Sequence, residues 1–180
     1  MIPGHRFVYG WLPAVIVPAV FLAVLARAPR RVLAQEEGGA GLVVSGQATG
    51  KDVGLPIYPG ARPHRDSNND SDAARLALWG GGSGFKLTVL KMESKDAPAQ
   101  VADFYQKALA KYGKVLDCTH GGTDADEKND ARVLSCGNDK PDKDGRLFKS
   151  GTKEKQHIVA IEPYGTGTTF ALIYLWAKGD

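Results

Sequence analysis

His157-Ile158-Val159-Ala160-Ile161-Glu162-Pro163-Tyr164, then Gly165-Thr166-Gly167, then Thr168-Thr169-Phe170-Ala171-Leu172-Ile173-Tyr174-Leu175-Trp176-Ala177: this stretch decides the fold. Both flanking runs are rich in β-branched and aromatic residues, and a glycine-containing link separates them, so the pattern predicts two antiparallel strands. Phe170 to Trp176 is apolar on both faces, which places that strand centrally in a sheet. Working back along the chain, Ala74 to Trp79 and Phe85 to Met92 read as two more strands, joined by Gly80-Gly81-Gly82-Ser83-Gly84. In the second of these, Phe85, Leu87 and Val89 share one face, and Lys86 and Thr88 the other. Leu55-Pro56-Ile57-Tyr58-Pro59-Gly60 is extended and stiffened by its prolines, and it ends in a Pro-Gly turn. Residues 62–72 are polar and read as a loop.

One helix is expected near residues 97–112. Val101, Phe104, Ala108, Leu109 and Tyr112 fall at the spacing of one helical face, with Asp96 as the cap, Pro98 in the first turn and Gly113 as the stop. The expected architecture is therefore α+β: a largely antiparallel sheet of about five to seven strands with one main amphipathic helix packed on one face. Residues 55–180 form the single globular domain. Residues 35–54, rich in Gly, Glu, Ser and Thr, read as a flexible linker.

Ahead of these lies the unbroken apolar run Phe7 to Ala26, long enough at ~1.5 Å per residue to cross a bilayer core of ~30 Å. Arg6 precedes it, Arg27, Arg30 and Arg31 follow it, and Val32-Leu33-Ala34 has the small-residue pattern of a signal-peptidase site. Residues 1–34 are thus a signal peptide or a membrane anchor. The run's length and the arginines behind it favour the anchor; Pro13, Pro18 and the Ala34 site favour cleavage. Either way the domain is expected outside the cytoplasm, periplasmic or at the cell surface, with the membrane as partner through residues 7–26 if the segment is kept.

Residues 1–34 hold four of the 23 Lys and Arg and no acid, so the remaining 19 face 20 Asp and Glu. The net charge of +3 therefore belongs to the leading segment, which removes the usual electrostatic argument for a nucleic-acid or anionic-lipid partner of the domain. The two cysteines fit an exported chain. Lys114-Val115-Leu116-Asp117-Cys118 and Arg132-Val133-Leu134-Ser135-Cys136 read as matching strands whose antiparallel pairing brings the sulfurs together. A bridge of that loop size contributes ~3 kcal/mol on the chain-entropy model. The alternative is a pair of free buried thiols.

Two motifs, Leu55-Pro56-Ile57-Tyr58-Pro59-Gly60-Ala61 and Val101-Ala102-Asp103-Phe104-Tyr105-Gln106-Lys107-Ala108-Leu109, resemble a loose group of exported bacterial proteins of unknown function. In that group a proline-rich "YPGA" strand precedes a sheet, and a "V-x-x-F-Y-x-x-x-L" helix packs on it. The resemblance covers about residues 55–118. It implies export and an α+β domain, and it carries no activity.

The candidate chemistry is sparse. Gly80–Gly84 is followed by a strand, whereas a phosphate-cradling loop needs a helix behind it. Asp124-Ala125-Asp126-Glu127-Lys128-Asn129-Asp130 has Lys128 where a calcium ligand belongs, and Asp142-Lys143-Asp144-Gly145 is too short. Both read as solvated acidic loops. Cys118, His120 and Cys136 supply three ligands to zinc or copper, without an evident fourth. His64 and His157 have no recognisable partner and read as structural or surface residues. No cofactor motif is present. Tyr105, beside the helix's buried face, and Trp79, next to the glycine loop, mark a small aromatic-lined cleft as the expected binding site. The function expected is a non-enzymatic exported cell-envelope domain with a binding or scaffolding role. The alternatives are an enzyme whose site assembles from distant residues, and a metal-binding module using Cys118, His120 and Cys136.

Overall fold

The computed structural model describes residues 39–68, 70–121, 133–142 and 144–179. All belong to the second of the two units into which the chain divides, residues 1–34 and 35–180. The apolar run 7–26 and the acidic stretch 124–130 lie outside the described residues.

Eight strands form one antiparallel sheet. They are β1 (Gly41–Ser45), β2 (Arg62–Pro63), β3 (Ala73–Gly80), β4 (Ser83–Ser94), β5 (Leu116–Asp117), β6 (Arg146–Gly151), β7 (Lys155–Tyr164) and β8 (Gly167–Lys178). Their order is β1-β3-β4-β8-β7-β6-β5, and β2 pairs with the far end of β4. The two long strands β4 and β8 lie side by side, from Gly84 opposite Lys178 to Ser94 opposite Thr168. The central place expected for Phe170–Trp176 is observed. The β3–β4 connection is tighter than the five-residue loop expected. Gly81 (φ 59°) and Gly82 (φ 88°) alone make the turn, a left-handed pair that suits the twist of a two-residue hairpin.

The strand count exceeds the five to seven expected, for identifiable reasons. β2 is a two-residue bridge with no local signature, whereas β5 is the part of the expected strand Lys114–Cys118 that pairs. β1 lies in the expected linker, which also contains a helical turn, α1 (Gly50–Val53). Thr49 and Asp52 cap α1, the carboxylate accepting from the Thr49 N–H at 2.9 Å and its hydroxyl at 2.8 Å. Val53 is fully buried, so residues 41–53 are part of the domain and not a flexible lead. β6 lies in the charged region from Gly137 to Lys155, where Lys149 interrupts the apolar pattern. In the fold Lys149 is buried and donates to Asp139 and to the Ser135 carbonyl.

The second helix, α2 (Pro98–Leu109), continues as a single 3-10 turn, Ala110–Tyr112. It packs over β6, β7 and β8 on the sheet face that carries Leu90, Met92, Val159, Ile161, Phe170 and Leu172. Its buried seam is Val101, Ala102, Tyr105 and Leu109; Phe104 and Ala108 only border it. This corrects the expected face, which centred on Phe104. Tyr105 wins the central position because its hydroxyl is satisfied there, accepting the Tyr58 N–H at 3.1 Å and donating to the Pro56 carbonyl at 3.2 Å. Asp96 does not cap the helix. Its carboxylate accepts the Tyr58 hydroxyl at 2.7 Å, while Gln100 accepts the Ala97 N–H.

Cys118 and Cys136 are disulfide-bonded, with Cα atoms 5.4 Å apart. The expected pairing of two cysteine-ending strands is not what brings them together. Only Leu116 and Asp117 are in a strand, paired with β6, and residues 133–136 lie in no strand. The bridge packs on Leu147 of β6 and forms a second small core on the sheet face away from α2.

Candidate functional site

The sheet face away from the helices gathers a charged cluster at one end. Register sets Arg62, Glu93, Thr169 and Glu162 side by side across β2, β4, β8 and β7. Beyond β2, the His64 N–H donates to the Lys91 carbonyl at 3.1 Å, which holds the imidazole over the same face. His64 is only 7 % exposed. Its Nδ1 lies 2.9 Å from Glu93 Oε2 and its Nε2 lies 3.3 Å from Asp66 Oδ1, and the Tyr164 ring meets it edge-on. Lys91 Nζ joins Asp66 and, at 2.8 Å, Asp70. Lys91 pulls the Asp70 carboxyl down to about 2, helped by the Ser71 N–H, and the two carboxylates raise Lys91 in return. Arg62 completes the group, 3.6 Å from Glu93.

Two cavities open beside this cluster. The first, about 370 Å³, lies between the Pro59-Gly60 turn, the end of β4 and the β7–β8 turn, with Arg62, Glu93, Asp96 and Tyr164 in its wall. The second, about 250 Å³, lies over Lys91, Glu162 and Thr169 with His64 at its rim. The wall of the first is set from within the core. Tyr58 stacks edge-on against Phe104 and Phe170, and its hydroxyl bond to Asp96 holds that phenol above its ordinary pKa. Pro59 and Gly60 then turn outward, with Gly60 at φ 74° and the Ala61 N–H donating back to Tyr58. The two resemblance motifs thus meet in space, since Tyr58 touches both Phe104 and Tyr105.

Trp79 and Tyr105 are not brought together. Tyr105 is fully buried near Phe170, opposite Met92, whereas Trp79 stands opposite Gly84. Eight residues of β4 separate these positions, ~26 Å at ~3.3 Å per residue. The aromatic cleft expected at the Gly80–Gly84 hairpin is therefore not formed by this pair. The metal-module reading loses its ligands too, because the disulfide consumes both thiols; His120 is exposed in the loop after β5. His157 is structural: its Nδ1 donates to the Val53 carbonyl at 3.0 Å, and Tyr112 stacks on the ring. It sits in a row with buried Thr88 and Ser150 and half-buried Tyr174, closed over by α1 and Tyr112.

Sequence reasoning left Arg62, Asp66, Lys91 and Glu93 unassigned. The available signal was the end of β4, where Lys91 and Glu93 replace the apolar residues that Phe85, Leu87 and Val89 put on the same face. Among the described residues, no three His, Cys, Asp or Glu side chains converge as metal ligands. No family model, no curated protein and no solved structure matches this chain.

Proposed function

We propose that this is an exported cell-envelope domain with a non-enzymatic binding role, and that its ligand enters the cleft between the Pro59-Gly60 turn, Glu93–Asp96 and Tyr164. The apolar run, Val32-Leu33-Ala34 and the Cys118–Cys136 disulfide support the compartment, since such bridges persist in oxidising surroundings. The observation that carries the binding reading is Tyr164. It is a 57 % exposed aromatic ring at the mouth of a cavity whose walls hold both acids and bases.

A flat apolar ring beside mixed donors and acceptors suits a small, polar, near-neutral ligand, and a saccharide of the envelope has that chemistry. Isothermal titration with soluble N-acetylglucosamine oligosaccharides tests this. The expected result is binding by the native chain and its loss in Tyr164→Ala at unchanged melting temperature. No heat with the native chain, or equal binding by the variant, refutes the ligand class.

A second reading, an enzyme assembled from distant residues, draws on His64 between Glu93 and Asp66. The partners found for His64 are two carboxylates, an arrangement that suits a hydrogen-bond hub tying β2 and the 64–72 loop to β4.

A further inference from the structure

The opposite end of the sheet has a different character. Register aligns Leu42, Leu78, Phe85 and Ala177 in one row and Val44, Leu76, Leu87 and Leu175 in another, on the face away from the helices. Leu42 is 63 %, Val44 73 % and Leu78 52 % exposed, and the residues of these rows belong to neither core. The other face of the same end carries Val43, Trp79 and Trp176, the last two being both tryptophans of residues 35–180. Each ring lies over a strand glycine: a Cβ on Gly41 would fall 2.2 Å from Trp79, and one on Gly84 2.5 Å from Trp176.

Lysines surround these rings. Lys86 and Lys155 flank Trp176 across the strands, Lys178 stands opposite Gly84, and Lys153 lies in the adjoining β6–β7 turn. Among the described residues Glu154 is the one acid here. The far end holds Asp66, Asp70, Glu93, Asp96 and Glu162. The domain therefore has a cationic, tryptophan-bearing, apolar end and a more acidic end with the cleft.

We propose that this end, led by the Gly81-Gly82 turn, docks on an anionic phospholipid surface. Tryptophan, lysine and exposed leucine together are the side chains that partition at a lipid headgroup layer, and the lysines add attraction to negative lipid. The chain outside the described residues agrees. The apolar run ends at Ala26, three arginines follow, and β1 begins at Gly41 at this same end. Residues 27–40 span at most about 50 Å, so a retained anchor tethers the domain through β1, at this end of the sheet.

The test uses the full chain carrying Trp11→Phe, so that only Trp79 and Trp176 emit. It is mixed with vesicles of phosphatidylethanolamine and phosphatidylglycerol containing a headgroup-proximal nitroxide lipid. Quenching reads the position of the sheet end even where residues 7–26 tether the chain. The expected result is about a two-fold loss of emission with a blue shift, reversed by Leu42→Ser with Leu78→Ser and weakened by Lys86→Glu with Lys178→Glu at unchanged far-ultraviolet dichroism. Emission unaltered by the vesicles overturns the proposal, as does quenching that survives both variant pairs. Concentration-dependent dimerisation that shields the rings from aqueous acrylamide, without lipid quenching, assigns the face to a second copy instead. The result is independent of the saccharide titration, because no residue is shared between the two surfaces.

Discussion

Removing one oxygen from the core separates the helix face seen in the structure from the one read along the chain. Tyr105→Phe keeps the ring, which is fully buried against Tyr58 and Phe170. It deletes the acceptor for the Tyr58 N–H and the donor to the Pro56 carbonyl. Two backbone groups are then left without a partner, which costs about 1–3 kcal/mol in total when water reaches one of them. At ~3–4 °C per kcal/mol for a domain of this size, melting should fall by about 3–12 °C. Tyr105→Ala adds a cavity and should cost ~3–5 kcal/mol, whereas Phe104→Ala, at the border of the seam, should cost less than Tyr105→Ala. Urea unfolding of the full chain, followed by tryptophan emission, gives all three values. Tyr105→Phe within ~0.5 kcal/mol of the native chain refutes the buried double hydrogen bond. A larger loss in Phe104→Ala than in Tyr105→Ala restores the sequence-derived face.

Thiol titration of unreduced, denatured protein should find no free thiol, and Cys118→Ser with Cys136→Ser should lose ~3 kcal/mol; two titratable thiols contradict the bridge. His157 has its pKa lowered by burial, against the Val53 carbonyl bond that raises it, so the folded state prefers the neutral ring. Stability from this group is present above the ordinary value of 6.5 and declines as pH falls below it; that part of the decline should vanish in His157→Gln, and an identical pH–melting curve for the variant argues against it. A C-terminal reporter active only outside the cytoplasm should be active on the full chain. A silent reporter on expressed protein means that Arg27, Arg30 and Arg31 hold the domain inside.

What was legible along the chain is what depends on near neighbours. The β7–β8 hairpin, the central place of Phe170–Trp176 and the existence of α2 follow from period-two and helical spacing within single segments. The disulfide was also legible as a pair, though its geometry comes from packing on β6. Tertiary structure decided the rest, through partners far off in sequence. Tyr105 outranks Phe104 only because Pro56 and Tyr58, nearly fifty residues away, satisfy its hydroxyl. Lys149 can lie in a buried strand only because Asp139 and Ser135 meet its ammonium. The His64–Glu93–Lys91 cluster exists because a two-residue bridge, β2, sets a polar loop against β4. Local periodicity records which residues alternate; whether a polar atom is satisfied, and so whether its residue can be buried, is settled only when distant strands supply the other half of the bond.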